Sequence, residues 1–418
     1  MNSKFTYISL AFALALSACR SDDTPPPAPE YTEENPAYMS FSLTMENPTG
    51  QTKATRGEAP DLDGTDKWGD LYEQSQGTAF DIRLLPDNFT AVILENDNKT
   101  VVGNFNILSY WTSSTESTVT YFIHGSFAPK DTQKYSTTES LKQGASGMKL
   151  MVFANTPYDP LGNPAADGTH DFSLLEFPYI SKTSALEAGE DVNEPGFPAI
   201  PMWGVCPVDF SNLKQGSFTW INDENSSCQL LRAMAKVSVQ LRLGENQKNR
   251  VKLVSLALNK YNTKGYVTPG TWDEKDLTSK ILFDETLREN PSEATNYISQ
   301  RVSVIDGEDN ISFYLPEIKN DKDAKRTLTE GPDSEDCLEL TLKYAVDGNE
   351  KENHLYFTKY SGGGPVSDPQ DGKHLVGLWD VVRNHIYEYT ITGVQDSKIN
   401  IEARVKDWQY HKAVQPLE

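Results

Sequence analysis

The residues of this 418-residue chain that could carry chemistry are few and scattered. Six histidines stand at positions 124, 170, 354, 374, 385 and 411, with no H-E-x-x-H run and no paired-ligand spacing, so no metal centre is expected. Gly144-Ala145-Ser146-Gly147 is one residue short of a G-x-S-x-G nucleophile elbow and reads as a loop ahead of a strand. The sequence has neither a P-loop nor a G-x-G-x-x-G turn. Its 60 acidic residues give many accidental neighbours, but an acid pair depends on a geometry that spacing does not supply. Asp61-Leu62-Asp63-Gly64-Thr65-Asp66 has the alternate carboxylates and glycine of a calcium loop. Tyr72 stands where the closing Glu belongs, so a solvated loop is expected. Once Cys19 is set aside, Cys206, Cys228 and Cys337 cannot all pair within one chain. Cys206 with Cys228 is the nearer pair and the candidate disulfide, which spacing alone does not establish. No catalytic residue and no cofactor is assigned; the chain reads as a non-enzyme.

Cys19 has a different chemistry. Lys4 precedes an apolar run from Phe5 to Ala18, too short for a stable membrane span and right for a secretory signal. The run ends in Leu16-Ser17-Ala18-Cys19, which resembles the bacterial lipobox, so residues 1–18 are expected to be removed and Cys19 acylated. Acyl chains anchor by burying methylenes at ~0.8 kcal/mol each, which holds a domain at a membrane surface without a spanning helix. Arg20-Ser21-Asp22-Asp23 and then Pro25, Pro26, Pro27 and Pro29 read as an extended tether. Acidic residues just after a lipidated cysteine resemble the signal that sends Bacteroidetes lipoproteins to the cell surface.

The elements that must position these residues are strands. Met39, Phe41, Leu43 and Met45 alternate with Ser40, Ser42 and Thr44. The same period of two recurs over 237–243, 338–344, 387–391 and 399–406, the last with Ile399, Ile401, Ala403 and Val405 on one side. Clusters such as Tyr158-Asp159-Pro160-Leu161-Gly162-Asn163-Pro164 punctuate them, and a short helix is admitted near Ser140 to Gln143. The expected class is all-β: two tandem antiparallel β-sandwich domains of Greek-key, transthyretin-like form. The polar stretch Asn222-Asp223-Glu224-Asn225-Ser226-Ser227 suggests a boundary, giving 19–56 as tether and first strand, 57–225 as one domain and 226–418 as the other.

Charge narrows the partners. With 38 basic and 60 acidic residues the net charge is −22, and no basic cluster relieves it, so nucleic acid is excluded as a partner. Seventeen Phe, 19 Tyr and seven Trp suit well-filled cores rather than an acidic disordered chain. The tryptophans, at 68, 111, 203, 220, 272, 379 and 408, are expected mainly in the core, although one on the surface would suit a sugar-stacking platform. A surface-anchored glycan-binding lipoprotein is therefore the second function class.

Several segments resemble a known family. Leu231-Arg232-Ala233-Met234-Ala235-Lys236-Val237, Phe313-Tyr314-Leu315-Pro316-Glu317, Val382-Arg383-Asn384-His385-Ile386-Tyr387-Glu388-Tyr389-Thr390-Ile391 and Val405-Lys406-Asp407-Trp408 look, in that order, like fimbrillins. These are subunits of the type V pili of Bacteroidales, and the Arg-Asn-His-x-Tyr segment resembles the minor-fimbrium branch. The resemblance implies export as a lipoprotein to the outer membrane, then cutting by an arginine-specific protease after an early strand. The cut frees a groove that another subunit's strand fills head to tail. Met39, Phe41, Leu43 and Met45 stand where the removable strand belongs. The polar, turn-rich segment after them holds Arg56 before Gly57, the expected cut site. Cutting there leaves 362 residues with a charge of −20. The donor strand is expected in or after Ile399, Ile401, Ala403 and Val405, with Tyr410 and Val414 as pocket residues. The implied partners are other fimbrial subunits, the protease and a host or bacterial surface receptor; stalk, tip and anchor roles stay open.

Overall fold

The computed structural model describes residues 30–32, 35–46, 84–85, 88–114, 118–131, 133–178, 199–222, 227–259, 261–262, 264–269, 301–304, 310–320, 337–357, 380–395 and 398–407. Their architecture is all-β. Nine strands form one sheet: β1 (Ala37–Glu46), β2 (Phe89–Leu94), β3 (Val101–Ser114), β4 (Thr118–Pro129), β5 (Lys149–Ala154), β7 (Met202–Pro207), β8 (Thr219–Trp220), β9 (Cys228–Gln229) and β10 (Leu231–Arg232). They run in the order β10-β7-β5-β2-β3-β4-β1-β8, with β9 also paired to β1. The later strands build two four-stranded sheets. One is β15 (Asn310–Pro316), β11 (Met234–Leu241), β18 (His385–Gln395) and β19 (Lys398–Asp407). The other is β14 (Arg301–Val304), β12 (Val251–Leu258), β16 (Glu339–Val346) and β17 (Asn349–Tyr356). A small ladder joins β6 (Glu176–Pro178) to β13 (Lys264–Tyr266).

Local sequence explains most of these elements. In β4 buried and half-buried residues alternate along its whole length, as a strand with one face on the core requires. β5 is buried at all six positions, so its run Leu150-Met151-Val152-Phe153-Ala154 has no alternation to show. The one α-helix among the described residues, α1 (Thr138–Gly144), begins at Thr137. The Thr137 hydroxyl accepts the Ser140 N–H while the Ser140 hydroxyl accepts the Thr137 N–H, a reciprocal cap. Asp347 and Gly348, both at positive φ, close the β16–β17 hairpin, the two-residue turn that Asp-Gly favours. Most ladders are antiparallel, but β11 pairs with β18 in parallel, as β1 does with β8 and β9. Alternation sets which face is buried, not strand direction, which follows from how distant segments return.

The Arg-Asn-His segment is a buried tie between sheets. Arg383 is 2% exposed; its Nε pairs with the Glu317 carboxylate, Nη1 donates to Val267 O at 2.7 Å and Nη2 to Tyr266 O at 2.8 Å. Asn384 takes a left-handed φ of 55°, which its short amide tolerates. Its N–H donates to Met234 O at 2.8 Å and its Oδ1 accepts the Arg232 N–H at 3.2 Å. The segment thus holds the crossover from β10 to β11 and, through Arg383, the end of β13. Tyr387 OH accepts the Val382 N–H at 2.9 Å and braces the turn from below.

Arg383→Ala leaves the Glu317 carboxylate buried without its guanidinium and should cost about 3–5 kcal/mol, read as a lowered urea midpoint. Arg383→Lys should recover only part of that, because one ammonium cannot reach Glu317 and both carbonyls together.

Candidate functional site

The candidate site is the slot that β1 fills. Met39, Phe41 and Leu43 are wholly buried and Met45 nearly so, with Phe41 meeting Phe105 edge-on at 5.1 Å. Burying four such side chains contributes on the order of 6–12 kcal/mol. Along one edge β1 pairs with β4 in unbroken antiparallel register, from Ala37 opposite Phe127 to Glu46 opposite Thr118. The other edge is held in pieces. Met39 and Ser40 lie beside Thr219 and Trp220 of β8, and Leu43 and Thr44 beside Cys228 and Gln229 of β9, both in parallel. The Ile221 N–H donates to Ser40 O and the Leu230 N–H to Thr44 O, each at 2.9 Å.

Between the two short pairings no strand among the described residues lies beside the backbone of β1, and Asn222 takes that place. Its Oδ1 accepts the Ser42 N–H at 2.8 Å and its Nδ2 donates to Ser42 O at 3.1 Å, so one carboxamide does what a strand residue would do. The face of β1 opposite the core is also closed: Ser40 and Ser42 are 0% exposed. Ser40 Oγ bonds His124 Nδ1, and Thr44 Oγ1 lies 2.6 Å from Ser227 Oγ. Burial of the His124 ring holds its pKa below the ordinary histidine value. A strand in this slot therefore needs large apolar residues on one side and small ones on the other.

Cys206 and Cys228 flank the same clamp. Both are buried and stand as neighbouring thiols in this structure. Burial, with the neighbouring Cys206, pushes the Cys228 thiol up and makes scarce the thiolate that disulfide exchange needs. Gly204 of β7 permits the close approach, since a Cβ there would lie 2.5 Å from Gln229 O. Cys337 is buried elsewhere in the fold.

The other sequence-derived positions distribute as follows. Cys19, Arg56, Gly57, Tyr410 and Val414 lie outside the described residues, as do the Asp61 to Asp66 loop and four of the tryptophans. Ile399, Ile401, Ala403 and Val405 lie in β19, which pairs with β18 on one side and is an edge strand among the described residues. Ile399 is buried, Ile401 half-buried and Ala403 exposed. Among the described residues no group of three His, Cys, Asp or Glu side chains could hold a metal ion, and no helix is long and apolar enough to cross a membrane. The residue that spacing missed is Asn222. A polar run reads as a linker, and nothing in it marks the one amide that substitutes for backbone.

No known family profile and no curated protein matches this chain. It is similar in structure to the tip fimbrial protein Mfa3 of Porphyromonas gingivalis, with 14% identity and a TM-score of 0.43 over 88% of this chain and 100% of that one. It is similar to a candidate cell adhesion protein of Parabacteroides distasonis, with 13% identity and a TM-score of 0.43 over 90% and 98%. The fimbrial anchor protein Mfa2 of Porphyromonas gingivalis aligns at 10% identity and a TM-score of 0.28 over 90% and 99%. Function has to be read from the slot itself.

Asn222→Ala should remove the carboxamide's acceptor and donor from the buried Ser42 N–H and C=O, at a cost of about 2–5 kcal/mol. Native-state hydrogen exchange should speed at the Ser42 amide while the amides that pair with β4 stay protected. Acidification has the same direction. Because the folded pKa of His124 is lowered, the unfolded chain binds the extra proton first, and stability is lost as pH falls below about 6.5. His170 is lowered mainly by burial and adds to the slope. Urea midpoints measured from pH 7.5 to 5.5 should fall, and less steeply in His124→Gln.

Proposed function

We propose that this chain is a structural or adhesive subunit of a fimbria, exported to the outer membrane as a lipoprotein acylated at Cys19. An arginine-specific protease cuts it after Arg56, and a strand of another subunit then takes the place of β1. One observation supports this reading: β1 pairs with β4, β8 and β9 but not with β2, the next strand among the described residues. A cut between β1 and β2 severs no strand pairing among the described residues and leaves β1 held there by non-covalent contacts. Its departure opens a row of main-chain donors and acceptors together with an apolar trough, which an alternating strand satisfies at once. Asn222 and the short pairings of β8 and β9 make the broken edge the easier one to peel.

The slot also selects the incoming strand. With Ile399, Ile401, Ala403 and Val405 turned to the core, β19 of a second copy brings two of Asn400, Glu402, Arg404 and Lys406 to the enclosed positions of Ser40 and Ser42. Burying such side chains without partners is costly. The donor that enters this chain is therefore a different subunit with small residues at those points, while β19, with Tyr410 and Val414 beyond it, remains the candidate donor for a neighbour. A host or bacterial surface receptor completes the expected partners.

Arginine-specific protease should trim the precursor to a chain beginning at Gly57, and Arg56→Ala should block the step; a product cut elsewhere, or no product, would count against the reading. Once trimmed and freed of β1, the protein should rebind a synthetic peptide of residues 37–46. The Ser42→Glu peptide should bind at least about tenfold more weakly, since 1.4 kcal/mol already corresponds to a factor of ten. Equal binding of both peptides would show that the slot tolerates any strand.

A further inference from the structure

The outward face of the nine-stranded sheet carries a cluster of rings beside Ser40 and Ser42. Trp111 of β3 and Phe122 of β4 are register partners and lie nearly parallel, with centroids 5.1 Å apart and planes at 15°. Trp220 of β8 meets both at right angles, at 5.9 Å and 85° from Trp111 and at 5.9 Å and 89° from Phe122. His124 lies 4.9 Å from Trp111 and 4.4 Å from Phe218 and fills the back of the corner. Trp203, by contrast, is wholly buried in the core. Trp220 is 41% exposed, and among the described residues only Tyr158 is a comparably exposed large hydrophobic side chain.

An exposed indole held by perpendicular neighbours on paired strands is pre-organised, because little rotamer freedom is left for a ligand to freeze. The chemistry of the corner then limits its occupant. Trp111, Phe122, Phe218 and Trp220 carry no charge, and the half-buried hydroxyls of Thr44 and Thr120 lie on the same face. The chain's net charge of −22 opposes polyanions and equally opposes a second copy of itself. A neutral molecule with one apolar face to lay on an indole and hydroxyls at its rim suits these uncharged rings and hydroxyls, which describes a pyranose. We propose that the corner formed by Trp220, Trp111 and Phe122 is a binding site for a neutral saccharide, stacked by its C–H face on Trp220. The rings come from β3, β4 and β8 and none from β1, while Trp220, beside Ser40, also borders the slot.

The test is a tryptophan-fluorescence titration of the full chain with cellohexaose, maltohexaose, mannohexaose and xylohexaose, alongside a heparin hexasaccharide. At least one neutral oligosaccharide should give a saturable change, weakened about tenfold or more by Trp220→Ala, corresponding to at least 1.4 kcal/mol. Tyr158→Ala should leave it unchanged. Saturating amounts of that sugar should also protect Trp220 of the unmutated chain from oxidation by N-bromosuccinimide, read by peptide mass, which tests the site even if the alanine variant misfolds. No saturable response to any of the four, a response to the heparin fragment alone, or binding without protection of Trp220 overturns the proposal.

Discussion

A strand enclosed on both faces and along both edges must have every main-chain donor and acceptor satisfied, and the first part of this structure is organised by that demand on β1. The apolar row from Met39 to Met45 closes one face, and the rings and loops over Ser40 and Ser42 close the other. β4 supplies one complete edge. The second edge is completed by fragments, namely two residues of β8, two of β9 and the carboxamide of Asn222. A continuous strand on that side would hold β1 through one cooperative ladder. A composite edge holds it through contacts that can be lost one at a time, and each leaves only one or two backbone groups exposed when it opens. The same enclosure constrains neighbouring residues: Gly204 has to stay small for β9 to lie against β7, and burial disfavours the charged form of His124.

How much of this the sequence disclosed depends on the range of each interaction. The alternation of Met39, Phe41, Leu43 and Met45 places a strand and its core face, because that pattern is local. The same alternation assigns Ser40 and Ser42 to water, and they are wholly buried instead. Their cover comes from residues 218–222, far along the chain, and serine carries no mark of what lies above it. Asn222 belongs to a run that composition reads as a linker, although its amide is chosen for a donor and an acceptor side by side. Arg383 looks like an ordinary strand-flanking cation, yet it is buried against Glu317 and two carbonyls. Trp203 and Trp220 are indistinguishable by type; one is core because β7 is buried on both faces, and the other is exposed on β8 at the end of the sheet. The fold class was therefore legible and the slot half legible, while the clamp depended on returns of the chain that no window of residues records.

The remaining edges show why the slot matters for association. β17 ends one four-stranded sheet with Glu350, Lys351 and Glu352, and β19 ends the other with Lys398 and Glu402 exposed. Charged side chains on an open edge discourage pairing with a stray strand, and the chain's net charge of −22 adds long-range repulsion between copies. The edge beside β1 lacks this protection, since the trough it borders is lined with apolar side chains. Protection there is steric: β1 itself occupies the place. An edge guarded by charge is guarded permanently, whereas an edge guarded by an occupant is open whenever the occupant leaves.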